Sequence, residues 1–186
     1  MARSKFAGMS GTRPAGTGSY FTNGDFLARL DRIKFGETHV GKEFCTLEFT
    51  VLKTMSPGPA GEKHRPGEEA SKFWFTKDIW FMGQFKSFAM VALGTTDPDE
   101  ITDEVCDELA NEEAQPLAGQ LFHVRGRPKQ TQSGKTITTV VFIKNVPHDE
   151  AAGLLGDDAA EILEKCYRDK TGFRSMDDFN ARAAGE

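Results

Sequence analysis

The hydrophobic period of this chain switches twice, from two to about 3.6 and back again, and few folds accept that order. Residues 44–51, Phe-Cys-Thr-Leu-Glu-Phe-Thr-Val, alternate cleanly. A period of two predicts a strand with Cys45, Leu47, Phe49 and Val51 turned inward and Thr46, Glu48 and Thr50 turned outward. Ahead of it, Asp25 to Phe35 reads as a longer strand whose apolar phase slips. Phe26, Ala28 and Leu30 share one face, whereas Ile33 and Phe35 take the other parity, which predicts a bulge or bend within the strand. The turn from Gly36 to Gly41 joins the two as a hairpin. A third strand is expected at Ser71 to Thr76, after a segment from Met55 to Ala70 with three Pro and three Gly that reads as a long exposed loop.

Between Ile79 and Leu93 the period becomes helical. Phe81, Phe85, Phe88 and Ala92 recur on one face, and Gly94 follows as a C-cap. Asp97 to Ala114 is expected to form a second, acidic helix, with Pro98 at a favourable first position. The strand period then returns at Gln120–Arg127 and Thr136–Ile143, joined as a hairpin by a polar, basic tip, residues 128–135, and ended by Pro147. A third helix is expected over 157–168, with Ile162, Leu163, Cys166 and Tyr167 on its apolar side.

Five strands with a helical insert after the third is the order of an OB-type barrel, so the expected class is mainly β with α insertions and a C-terminal helix. A β-sandwich needs about seven strands, and an α/β fold alternates strand and helix from the start. The 186 residues fit one domain with appendages. We read 1–19 as a mobile arm, 20–148 as the OB-type domain with its acidic insert at about 97–116, and 149–186 as a C-terminal helical extension.

Three dispersed cysteines, Cys45, Cys106 and Cys166, argue against a disulfide framework and for a reducing compartment, the cytoplasm. No apolar run is long enough to span a membrane, and the basic N-terminal residues lack the apolar stretch of a secretory signal. Charge is segregated. The chain carries a net −5, but residues 97–116 hold nine acidic and no basic side chains, residues 149–186 hold ten acidic and five basic, and the remainder holds 18 basic against nine acidic. A basic body with acidic appendages points to a polyanionic partner.

Catalytic constellations are absent from the pattern. Ser133-Gly134-Lys135-Thr136 resembles the end of a phosphate-binding loop, but Lys129 stands where the first glycine is needed and a β-branched run follows instead of a helix. Cys45 alternates into the core, His123 lies on a strand, and the carboxylates of 97–116 look like a solvated helix face. No catalytic set, metal or cofactor is expected.

What remains is cationic side chains interleaved with aromatics on neighbouring strands. The first strand offers Arg29, Arg32 and Lys34. The second offers Phe44 between Lys42 and Lys53, the third Lys72, Trp74 and Lys77, and the last hairpin Arg125, Arg127, Lys129 and Lys135. With Phe73 and Phe75 inward, Trp74 would face out between two lysines. Unpaired bases stack on exposed rings at about 1–3 kcal/mol each, while neighbouring cations track the phosphates.

At these residues the chain resembles the phage-type single-stranded DNA-binding proteins. The likeness covers roughly 20–147 and rests on the strand from Gly24 to Phe35, on Gly41-Lys42-Glu43-Phe44, on Phe85-Lys86-Ser87-Phe88 in the inserted helix, and on the Gly134 hairpin. It implies an OB barrel without catalytic residues that binds single-stranded DNA, with RNA as an open alternative, during replication or recombination in a host cytoplasm. Such proteins often recruit replication enzymes through an acidic tail. Here the last residues are not strongly acidic, and the acidic charge lies in 97–116 and at Asp157-Asp158, so that role falls to the acidic helix or the C-terminal region. Homo-oligomerisation stays open. The competing class is a structural or polymerase-accessory protein that uses the aromatic barrel face as a protein interface.

Overall fold

In the computed structural model, which describes residues 20–158 and 161, the five expected strands form one antiparallel sheet. They are β1 (Gly24–Glu37), β2 (Glu43–Pro57), β3 (Glu69–Phe75), β4 (Leu121–Gln130) and β5 (Thr136–Asn145), hydrogen-bonded in the order β3-β2-β1-β4-β5. The phase slip in β1 is real: its register against β2 shifts between Leu30 and Arg32, so that Leu30 and Ile33 both reach the core. An extra residue in one strand is what lets both parities point inward.

The sheet is not closed into a barrel, which corrects the expected closure. Among the described residues β3 and β5 carry no ladder between them. Two other elements fill that seam. The first is helix α1 (Phe81–Leu93), which reaches β3 through Phe81 against Trp74 and β5 through Phe88 against Phe142, with ring centroids 6.2 and 5.0 Å apart. The helix ends as its sequence predicts, on Gly94 at φ 70°, a left-handed cap that glycine adopts without strain. The second is the segment Tyr20–Asn23. Tyr20 forms a parallel bridge to Ser71 on β3, Thr138 of β5 donates from Oγ1 to Oδ1 of Asn23, and Phe21 is buried against Phe26 and Phe49.

Gly126 on β4 is what admits this segment. A Cβ there would lie 1.9 Å from the carbonyl oxygen of Thr22. Gly126→Ala therefore forces the segment off the sheet and uncovers Phe21. We expect a loss of about 3 kcal/mol, the upper end of the overpacking range, read as a lower urea midpoint at unchanged slope.

The core lies between the inner face of the sheet and α1, and Phe49 at its centre touches Phe21, Phe122 and Phe142. The segment from Met55 to Ala70 is not simply an exposed loop. β2 runs on to Pro57, and His64 is buried, its Nε2 accepting the backbone N–H of Thr22. The acidic stretch yields only a single-turn 3₁₀ element at Pro98–Glu100 and the short α2 (Asp103–Leu109), capped by the Thr102 hydroxyl. Ile101, Val105 and Leu109 anchor it to the core. Beyond α2, the Gln115 side chain accepts from the Ile33 N–H and donates to the Ile33 carbonyl, and Glu112 accepts from the Phe35 N–H. These side chains satisfy backbone groups of β1 beyond its pairing with β4, which ends at Arg29.

A helix that periodicity did not single out, α3 (His148–Leu155), starts directly after Pro147. It covers Leu27, Leu52, Leu121 and Val146 on the outer face of the sheet with Ala151. The expected helix at 157–168 falls mostly outside the described residues, as does the arm at 1–19. No helix among the described residues is long and apolar enough to cross a membrane.

Candidate nucleic-acid interface

The register between β2 and β3 decides which aromatics meet solvent. Cys45 pairs with Trp74, Thr46 with Phe73, and Phe44 with Phe75. Paired residues of an antiparallel ladder share a face. Trp74 therefore points inward with Cys45 and Leu47, while Phe44, Phe73 and Phe75 point outward. This reverses the expected orientation of Trp74. It is 7 % exposed, its indole N–H donates to Gln84 Oε1 on α1, and α1 roofs it over. Lys72 follows the same parity. Its ammonium lies 5.4 Å from the Trp74 ring centre, and burial pulls its pKa down.

On the outer face the three phenylalanines, each partly exposed, form a continuous group. Phe44 and Phe73 have ring centres 5.3 Å apart, and Phe73 and Phe75 meet edge to face at 4.9 Å. Gly36, opposite Phe44 on β1, provides the seat for the first ring: a Cβ there would be 2.7 Å from the ring's Cζ. Lys42 lies over Phe75 at 5.4 Å from the ring centre, so a cation and a ring face are presented together. Lys34 shares the face, opposite Thr46.

The other expected cations divide. Arg32 is paired with Glu48, and Lys77 lies 3.5 Å from Glu43 at the rim of the rings. Arg29 is held by Asp31 and by the Thr50 hydroxyl. Arg125 is held by Asp25, which also faces His123 at 3.3 Å, and the Arg125 guanidinium keeps the Asp25 carboxyl below its usual range. Lys53 lies at the far end of β2, about 30 Å along the strand from Phe44, and donates to the Leu154 carbonyl of α3. Arg127, Lys129 and Lys135 are exposed on the β4–β5 hairpin, with no carboxylate partner among the described residues. The structure thus gathers Phe44, Lys34 and Lys42 with Phe73 and Phe75, keeps Arg127, Lys129 and Lys135 together on the hairpin, and removes Trp74, Lys72 and Lys53 from the ring face.

Chemically, this face offers stacking surfaces and point charges but, among the described residues, no nucleophile beside a base. Cys45, which the strand period turns into the core, is fully buried and its pKa is pushed up to about 12 by burial. A protonated thiol sealed in the core is inert. No group of His, Cys, Asp and Glu able to hold a metal ion occurs among the described residues.

No protein-family model and no curated protein matches this chain.

Trp80 is an aromatic that the sequence reading passed over. It is 70 % exposed just before α1, beside Ile79 at 84 %. The signal was present: Trp80 is out of phase with Phe81, Phe85 and Phe88, so a helix that buries those three must expose it.

Proposed function

We propose that the protein is a non-catalytic binder of single-stranded DNA, of an OB-type fold opened at the seam between β3 and β5. The observation that carries this reading is the outward group Phe44, Phe73 and Phe75 with Lys42 over the last ring. Unpaired bases offer flat faces to such rings without regard to sequence. The strand order agrees with that fold, since OB-type recognition uses the second and third strands between the first and the last hairpin loops. Lys42 belongs to the first of these loops, and Lys129 and Lys135 flank the second.

The test is a titration of labelled oligo-dT, oligo-rU and duplex DNA at two salt concentrations. Binding should favour dT over duplex and weaken with salt. The double variant Lys34→Ala, Lys42→Ala should bind less tightly to every sequence and lower the salt slope by roughly 0.7 for each phosphate contact removed. Equal affinity for duplex, or a salt slope near zero, overturns the reading.

A second reading has its own support. Around the rings, Arg29, Arg32 and Lys77 face Asp31, Glu48 and Glu43, so much of the local positive charge is neutralised. Partly exposed rings amid balanced charge also suit a protein interface, as in a structural or accessory subunit. Gel filtration separates the two: an oligomer that forms without nucleic acid and is lost in Phe73→Lys favours the second.

A further inference from the structure

At the edge of β3, α1 and β5 leave an open cleft of about 660 Å3 between them. Trp74, Trp80 and Gln84 form one wall, and Lys129, Val141 and Phe142 the other. Its volume falls within the range of roughly 300–1,000 Å3 typical of ligand sites.

Two independent features say what could fill it. The first is apolar: Trp80 and Ile79 are 70 and 84 % exposed, and Val141 across the cleft is 43 % exposed. Large apolar side chains grouped in this way mark binding surfaces. The second is charge. Among the described residues the cleft lining holds no Asp or Glu, and its one charged side chain is Lys129. Arg127 shares the outer face of the hairpin with Lys129, two positions along β4, opposite Thr139. A flat indole face beside cations that have no carboxylate partner among the described residues fits a base carrying its phosphate.

Position adds a third argument. β3 is an edge strand, so its two faces meet at that edge. Phe73 and Phe75 occupy one face, and the neighbouring Trp74 forms a wall of the cleft on the other. Ring group, cleft and basic hairpin therefore follow one another around a single strand edge.

We infer that the cleft is a second base-binding position. A single strand crossing the edge of β3 from the Phe73 and Phe75 rings inserts a base between α1 and β5, stacked on Trp80, with its phosphate beside Lys129. This inference rests on the single-strand reading above and assigns Trp80 to that path.

Tryptophan emission tests it, because both tryptophans line the cleft and Trp80, 70 % exposed against 7 % for Trp74, presents the open ring. Oligo-dT should quench wild-type emission. Trp80→Phe should lose most of the quench, leaving only what Trp74 in the cleft wall contributes, while binding within about threefold of wild type, because phenylalanine still stacks. Trp80→Ala removes an exposed side chain and so leaves the fold intact, checked by circular dichroism, and should weaken dT binding roughly tenfold. If wild type binds dT and Phe73→Leu weakens it, yet Trp80→Ala binds as tightly as wild type, the cleft assignment is overturned and the single-strand reading stands. If wild type does not bind dT at low salt, both fall. A labelled acidic peptide that binds wild type and is released by Trp80→Ala, with dT affinity unchanged, also overturns the assignment and makes the cleft a peptide site.

Discussion

Replacing Phe49 with alanine should cost about 3–5 kcal/mol of folding stability, the largest effect expected of any single substitution in this chain. Phe49 is fully buried and packs on Phe21 and Phe122 edge to face and on Phe142 in parallel, so it joins β2 to β4, to β5 and to the segment that crosses the seam. Its removal leaves a cavity walled by rings from three separate elements, and rings anchored in a sheet cannot collapse far into it. A domain of this size is stable by only about 5–15 kcal/mol in all, so roughly a fifth of that or more is lost. The urea midpoint should fall by about 2 M. Ile137→Ala is the control, because that side chain is 43 % exposed, and the substitution should stay within about 0.5 kcal/mol. A shift under about 1 kcal/mol for Phe49→Ala would mean that the seam is not packed around this ring.

The second large effect is on binding. The double variant Phe73→Leu, Phe75→Leu keeps the apolar bulk of the outer face and removes two aromatic faces. With each base stack worth about 1–3 kcal/mol, affinity for oligo-dT should fall by about thirtyfold or more. Leucine at both positions preserves the sheet because neither side chain is fully buried, and an unchanged thermal midpoint would verify that. The matching variant at the buried tryptophan, Trp74→Leu, should act mainly on stability, because its ring is covered by α1 and its N–H bond to Gln84 would be lost. A Phe73, Phe75 variant with wild-type affinity would refute the ring face as the stacking surface, whatever Trp80 does.

The contrast between β2 and β3 explains how far the site was legible. In β2 polar residues occupy every second position, so only one parity can be buried without stranding Glu48 in the core. The inward set Cys45, Leu47, Phe49 and Val51 followed from that alone, and all four are buried. In β3 the run Phe73-Trp74-Phe75 is aromatic at each position, so either parity buries a comparable apolar area. Composition gave no means of choosing, and the assumed parity placed Trp74 outside. The bulge in β1 was legible because the apolar phase itself changes. α3 lies within the helical extension expected over 149–186 but ahead of the helix expected at 157–168; proline also starts helices, and Ala151, Leu154 and Leu155 recur at helical spacing behind Pro147. The long acidic helix proved to be a 3₁₀ turn and the two-turn α2, followed by Glu112 and Gln115 turned back to the β1 backbone, a role set by contacts some 80 residues away in sequence.

Strand order, the bulge, the helical insert and the segregation of charge were written in local periodicity, which each segment carries by itself. Three things came only with the folded chain: which face of β3 meets water, which cations are spent on carboxylates, and how the seam between β3 and β5 is filled. All three depend on pairing between distant segments. The Cys45–Trp74 register, the ion pairs across β1 and β2, and the seating of α1 against Phe142 are tertiary choices among locally equivalent alternatives, and the physics that selects them is burial against a partner that the local sequence does not name.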